Sequence, residues 1–169
     1  MKIRSRRTKK VILVPNDITL RRVVSCGQTA ALKAAKLMNI KTGGSMPSGF
    51  VTPDGNKPGY SFMYNCCDNA YSYKHAIHKN VQNADATIRL GKKFGSKELV
   101  CCLNAVREYD KPMLDIFLEP DWMLSANEIA HWIMSGEYTT INIITNYDKE
   151  LEQQVERFLV DVFKIMLYS

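Results

Sequence analysis

The sequence predicts a single α/β domain of the Rossmann-like, three-layer type, in which a mostly parallel sheet carries helices on both faces. Apolar, β-branched stretches alternate with amphipathic helical stretches along the chain, as in sheets built from strand–helix units. The length of 169 residues suits one domain with a full core. Two junctions between a predicted strand and the following helix are rich in small residues, which is typical of ligand sites in such folds.

The composition is that of a soluble globular protein. Hydrophobic residues make up 46% and charged residues 24% of the chain, and no apolar run has the length of a membrane span or signal peptide. The odd number of cysteines, two pairs of them adjacent, does not suit a disulfide framework or a zinc site. We therefore expect a cytoplasmic protein with no membrane contact, whose free cysteines are Cys26, Cys66, Cys67, Cys101 and Cys102.

Positive charge is concentrated at the start of the chain. The net charge is +6, and six lysines and arginines lie within the first ten residues. We expect residues 1–10 to be a flexible basic arm and residues 11–169 to form the ligand-binding domain. The remainder is close to neutral, which argues against a basic nucleic-acid-binding face, although a contact of the arm with nucleic acid is an alternative.

The predicted elements follow one another in strand–helix order. Glycine and proline punctuate residues 43–69 so densely that we expect a long loop there, which covers the site. Four-residue capping-box spacing at residues 125–128 predicts the start of a helix. The predicted strands are residues 19–25, 84–90, 111–117 and 139–145, with short ones possible at 11–14 and Ile40; the predicted helices are 29–38, 71–81, 98–109, 125 onward and 148–167.

Both small-residue junctions are candidate anion sites. The free N–H groups and the positive dipole end of a helix that follows a strand favour a phosphate. At the first junction, residues 26–29, Gln28 and Thr29 would donate hydrogen bonds, although Thr29 would also serve as a helix cap. The second junction runs from Gly91 to Ser96, with Glu98 just inside the helix.

Further polar residues are weighed against structural roles. Asp54 could accept from a ribose hydroxyl or a pterin-like amide edge, or belong to a turn. Asn80 and Asp85 flank a strand start, where a ligand or local backbone could be their partner. His75 and His78 share a helix face but lack a third ligand, so no metal site is predicted. Aromatic residues that could stack on a base or pack beneath the loop are Tyr60, Phe62, Tyr64, Tyr71 and Tyr73.

Three spaced motifs resemble the molybdenum-cofactor carrier family. They are SCGQT at 25–29, KTGGSMPSGF at 41–50 with PDG at 53–55, and HKNVQNADATI at 78–88. That family is a Rossmann-type relative of the lysine-decarboxylase-like phosphoribohydrolases and of the DNA-processing protein A fold, and the match runs from about Val24 to Thr145. The resemblance and the junctions together imply the ligand-binding set Cys26, Gly27, Gln28, Thr29, Gly43, Gly44, Asp54, Asn80, Asp85, Gly91, Gly95, Ser96 and Glu98.

Departures from the family pattern bear on function. Cys26 replaces a glycine, four residues including an acidic one are missing after Thr29, and Phe94-Gly95-Ser96 replaces Gly-Gly-Thr. The third motif also lacks the family arginine, and Glu98 lies one residue short of the position of the phosphoribohydrolase glutamate. These changes favour a diverged binding site without catalytic residues.

We therefore expect non-catalytic binding of a phosphorylated nucleotide-like or pterin-nucleotide molecule, either molybdenum cofactor or another nucleotide-like ligand. A first alternative is a sponge or receptor that sequesters a nucleotide-derived signal, such as an ADP-ribose derivative or a cyclic nucleotide. A second alternative is a nucleotide phosphoribohydrolase that uses Glu98 as its acid. A homo-oligomer is expected because a second subunit often completes the rim of such pockets.

Overall fold

A computed structural model describes residues 13–118, 122–146 and 148–169; for residues 122–124 it describes the backbone. The predicted basic arm and residues 11–12 of the possible first strand lie outside these ranges. The described strands are β1 (Arg22–Val24), β2 (Lys41–Pro47), β3 (Val51–Thr52), β4 (Gly55–Asn56), β5 (Cys66–Ala70), β6 (Ala86–Gly91), β7 (Met113–Phe117) and β8 (Thr140–Thr145). The helices are α1 (Thr29–Leu37), α2 (Tyr60–Tyr64), α3 (Tyr73–Asn83), α4 (Lys97–Tyr109), α5 (Trp122–Ser135) and α6 (Lys149–Tyr168).

Six strands form one parallel sheet in the order β5-β2-β1-β8-β6-β7, and β3 pairs with β4 in a separate hairpin. The last strand of the chain, β8, lies between β1 and β6, where Ile141 pairs with Val23 and Ile143 pairs with Ile88. Every residue of β6 is buried, as expected for a central strand covered on both faces. The predicted Rossmann-like fold class is therefore confirmed.

Helices cover both faces of the sheet. On one face α6 packs between α1 and α5, and its apolar stripe places Phe158 and Phe163 in the largest core cluster. On the other face α3 packs against α4 over a second cluster that contains Ile77 and Leu99. The short helix α2 packs against Leu32 of α1. In the described ranges, no helix combines the length and apolarity needed to cross a membrane.

The expectation of a long loop over residues 43–69 is wrong. Residues 41–47 form β2 in the sheet, and the segment continues through the β3–β4 hairpin, α2 and β5. Gly44 explains why a strand of such composition forms there. Its φ is +133°, and a Cβ atom on it would lie 2.1 Å from the carbonyl oxygen of Ser25. Gly44 therefore allows β1 and β2 to approach each other, rather than giving freedom to a loop.

Two smaller expectations also differ from the structure. Ser125 and Glu128 lie inside α5, which begins at Trp122, so the capping-box spacing does not mark the start of this helix. Leu13 and Val14, the described part of the possible first strand, are exposed and irregular. At Ile40, a strand does follow, but it begins at Lys41 and is seven residues long.

We predict that Gly44→Ala lowers the free energy of unfolding by roughly 3 kcal/mol or more, because its Cβ meets backbone that cannot move aside and its φ strains any L-residue. Gly43→Ala is the matched control, since its Cβ would lie 3.5 Å from the nearest atom, the carbonyl oxygen of Asn65. Urea denaturation measures both. Equal stability of the two variants would contradict the close approach of β1 and β2.

Candidate functional site

The loops after β1, β6 and β8 meet at the carboxyl edge of the sheet. The Gln28 side chain, only 4% exposed, joins the loop after β1 to the end of β8. Its Nε2 donates to the Thr145 carbonyl, and its Oε1 accepts from the Thr145 N–H at 2.6 Å. This paired amide contact fixes the start of α1 against the end of β8.

A second set of hydrogen bonds ties the loop after β6 to the same point. Ser96 Oγ donates to Asn146 Oδ1 at 2.5 Å, and Asn146 Nδ2 donates to the Lys93 carbonyl at 3.1 Å. Ser96 also caps α4 by accepting from the Leu99 N–H at 3.4 Å. Asn146 thus holds both ends of the β6–α4 loop next to the end of β8.

A small cleft opens beside these contacts. The helix α1 begins after Gly27, whose φ is +92°, and Gln28 provides no side-chain cap. The Thr29 hydroxyl is hydrogen-bonded to the Tyr60 hydroxyl. The residues that line the cleft are Gln28, Thr29, Ala30, Asp54, Thr145, Asn146, Asp148, Lys149 and Glu152.

Groups of both charges line this cleft. The start of α1 contributes the positive end of a helix dipole without a side-chain oxygen to satisfy its first N–H groups. The lining also includes three carboxylates, those of Asp54, Asp148 and Glu152, and the ammonium of Lys149. Asp148 caps α6 by accepting from the Glu150 N–H at 3.0 Å. The cleft therefore offers both hydrogen-bond donors and acceptors.

Cys26 and Glu98 lie toward the other face of the sheet, near α3 and α4. The Cys26 thiol is buried and donates to Tyr73 Oη at 3.3 Å. Burial is the main reason that the pKa of Cys26 rises to about 12, and the nearby Glu98 carboxylate adds to the effect. The thiol is consequently neutral, and its environment does not favour a nucleophilic thiolate.

Asn80 and Asp85 are not among the residues brought together at the cleft. Asn80 lies on the buried side of α3, where its side chain accepts from Ser45 N at 2.7 Å and donates to Ser45 O at 3.1 Å. Asp85 precedes β6 and lies at the amino edge, opposite the cleft. Its Oδ2 accepts from Thr139 N, Thr139 Oγ1 and Thr140 N at 2.8, 2.8 and 2.9 Å.

Of the remaining candidate residues, two lie at the carboxyl edge and the histidines lie away from it. Gly91 and Gly95 flank the β6–α4 loop at the carboxyl edge, and the space beside Gly95 is open. His75 stacks on Tyr71 with ring centroids 3.9 Å apart, and His78 Nδ1 lies 3.4 Å from Glu108 Oε2. Within the described ranges, no group of three or more His, Cys, Asp or Glu side chains could hold a metal ion.

Sequence reasoning missed the half of the cleft that β8 and α6 provide. Thr145, Asn146, Asp148, Lys149 and Glu152 line it, yet none was a candidate. A usable signal was present, because residues 145–149 follow a predicted strand and the carboxyl ends of parallel strands share one edge. The order of the strands was needed to place them beside Gln28.

The fold and this cleft define a Rossmann-like α/β protein with its candidate ligand site at the carboxyl edge of the sheet. The chain belongs to the circularly permutated YpsA SLOG family, which matches it over residues 23–163. No curated protein matches the sequence at a significant level.

A solved structure of similar fold is the "Putative molybdenum carrier protein" from Syntrophus aciditrophicus SB. It is 22% identical in sequence, with a TM-score of 0.75, and the alignment covers 89% of this chain and 97% of that one. At this level of identity the likeness shows a shared fold.

We predict that Asp85→Asn destabilises the protein at neutral pH and makes its stability less dependent on acid. Hydrogen bonds hold the pKa of Asp85 below its ordinary value, and the bond from the Thr140 N–H has the largest effect. The stabilisation is therefore fully present above the pKa that Asp85 has in the unfolded chain, about 4. It is lost as the pH falls through the lower pKa that Asp85 has in the folded protein. Since solvent screens this carboxylate, the loss at pH 7 should be on the order of 1 kcal/mol.

Urea midpoints at pH 7 and pH 3 provide the measurement. The difference between the two midpoints should be larger for the wild type than for Asp85→Asn. An identical difference in both proteins would show that the contacts with Thr139 and Thr140 contribute nothing to stability.

Proposed function

We propose that the protein binds a phosphorylated, nucleotide-like small molecule at the carboxyl-edge cleft and leaves it chemically unchanged. The start of α1 is the observation that carries this proposal. It has no side-chain cap, follows Gly27, and is fixed beside the open cleft by the Gln28–Thr145 contact. Its first N–H groups and dipole suit a phosphate.

The charged groups of the cleft suggest how such a ligand would lie. Its phosphate would occupy the start of α1, and the exposed Lys92 and Lys93 of the β6–α4 loop add positive charge at the same edge of the sheet, outside the cleft lining. Asp54 and Glu152 would accept from a part of the ligand that donates hydrogen bonds, such as ribose hydroxyls or the amide and amine edge of a pterin. A nucleotide or pterin nucleotide combines both ends.

Molybdenum cofactor is the first ligand to test. The motifs of residues 25–55 and 78–88 resemble those of its carriers, and the name of the structurally similar protein indicates molybdenum carriage. Nucleotide-derived signals such as an ADP-ribose derivative or a cyclic nucleotide offer the same phosphate and hydroxyl groups, so a sequestering role is the alternative within this class.

The surroundings of Glu98 favour binding over hydrolysis. Phosphoribohydrolysis requires a positioned acid and a cation that stabilises the developing charge. Arg89, only 4% exposed, has other partners. Its Nε and Nη2 donate to the two Asp115 oxygens at 2.7 and 2.6 Å, and its Nη1 donates to the Leu99 carbonyl at 2.8 Å.

Native mass spectrometry of the purified protein is the direct test, followed by denaturation and identification of any released molecule. Release of an intact molybdopterin or nucleotide supports the proposal and names the ligand. Release of free base during incubation with nucleoside monophosphates would instead establish a hydrolase.

We predict that Thr29→Asp weakens binding of guanosine monophosphate about tenfold relative to Thr29→Asn, because its carboxylate repels a phosphate at the start of α1. Both variants replace the Thr29 hydroxyl, which contacts Tyr60, and are of similar size to each other, so the comparison isolates charge. An aspartate in the first turn also favours the helix, which preserves the fold. Isothermal titration calorimetry gives the affinities.

Equal affinity of the two variants would place the phosphate away from α1. Circular dichroism and the urea midpoints of both variants serve as the control for folding. If the wild type binds neither guanosine monophosphate nor ADP-ribose, the same pair of variants is tested with the molecule that mass spectrometry identifies.

A further inference from the structure

The edge strand β7 has one backbone side without a strand partner, since in the described part of the chain it pairs only with β6. A groove of about 680 Å³ runs between this outer side and α5. Leu114, Ile116, Phe117 and Trp132 give this groove an apolar lining, and Phe117 is 55% exposed. A strand edge beside an apolar groove is a template for strand addition.

The opposite edge of the sheet is protected, which makes the openness of β7 informative. On β5, residues 67–69 are exposed and polar, Asp68 binds the Gly49 N–H at 3.0 Å, and the pairing with β2 is irregular. Charges and irregular pairing of this kind prevent edge-to-edge association. On β7 the register with β6 is regular, and its one charge, Asp115, is neutralised by Arg89.

The hydrogen bonds with β6 show which backbone groups of β7 face outward. Thr87 N–H donates to the Pro112 carbonyl, and Leu118 N–H donates to the Gly91 carbonyl. In a parallel ladder the groups of alternate residues point to the same side. The even-numbered residues of β7 therefore face β6, and the N–H and C=O groups of Met113, Asp115 and Phe117 face outward.

This arrangement is complementary to itself about a two-fold axis. Two β7 strands related by a two-fold axis at Asp115 run antiparallel. Their hydrogen-bonded pairs are then Asp115 with Asp115 of the other copy, and Met113 with Phe117 of the other copy. Leu114 then lies opposite Ile116. All the pairs other than the central one are apolar, and the central pair brings together two carboxylates that each bind an arginine, with the Arg89–Asp115 contacts at 2.6 and 2.7 Å.

Polar side chains of α5 beside the groove can also pair between two copies. Glu128 and His131 both line the groove and are one helical turn apart. When two copies of α5 run antiparallel across a two-fold axis, a Glu128 of one copy can face a His131 of the other at both ends of the contact.

We propose that a second copy of this chain occupies the groove, so that two β7 strands pair antiparallel and extend the six-stranded sheet into a continuous sheet of the dimer. This interface is distinct from the carboxyl-edge cleft and does not depend on what the cleft binds. The occupant is a second copy, rather than an unrelated peptide, because antiparallel pairing of β7 with itself places Met113 opposite Phe117 and Leu114 opposite Ile116, and because Glu128 can pair with His131 of the other copy.

Sedimentation velocity combined with light scattering tests the proposal on the full chain. The wild type should have twice the 19.3 kDa mass of one chain. Phe117→Lys places a charge against Met113 of the other copy and should give a monomer at the same concentration. Asn69→Lys on the exposed edge strand β5 is the matched control and should remain dimeric.

Amide exchange followed by NMR on the wild-type protein supplies a readout that does not depend on a variant. In the dimer the Asp115 and Phe117 amides should be protected as well as those of Leu114 and Ile116. A monomeric wild type with rapid exchange at Asp115 and Phe117 overturns the proposal. A dimer that persists in Phe117→Lys with those two amides exchanging rapidly overturns it as well.

Discussion

The candidate site depends on the contact between the Gln28 amide and the backbone of Thr145. The ladder between β1 and β8 pairs Val24 with Asn142, after which the β1 backbone turns into α1. The side chain of Gln28 then presents an N–H and a C=O group to Thr145, much as a paired strand would. A buried N–H or C=O left without a partner costs about 1–3 kcal/mol, so this side chain makes it possible for β8 to extend further than β1.

Several charged and reactive groups near the site are already committed to partners. The Cys26 thiol is kept neutral by burial, Arg89 binds Asp115, and Asn146 binds Ser96 and Lys93. What stays available at the cleft is a helix start, a set of carboxylates and the Lys149 ammonium.

Sequence patterns predicted the fold class and most regular elements because the central strands and the long helices have strong periodicity. In α6, buried apolar residues such as Val155, Phe158 and Val162 recur at helical spacing. The strand β2 could not be recognised in this way, since it contains Gly43, Gly44 and Pro47 and exists because β1 and β5 enclose it. Tertiary packing there overrides the local preference of the residues.

Of the residues that line the cleft, the sequence had indicated Gln28, Thr29 and Asp54. Residues 26–29, Gly91 and Ser96 were identified because glycine and small polar residues directly follow a strand. Asn80 and Asp85 were included by resemblance, and their side chains hold Ser45 and the start of β8. Asn146 and Glu152 depend on the position of β8 between β1 and β6, which no local pattern encodes.

The central position of β8 also has a consequence for how the protein folds. Residues 140–145 enter the middle of a sheet whose other five strands precede them in the chain. Until they are in place, β1 and β6 have no strand between them, and the contacts of Gln28 with Thr145 and of Ser96 with Asn146 cannot form. Closing such distant contacts slows folding, so the cleft is assembled late, and a ribosome-bound chain that has not yet exposed β8 cannot form it.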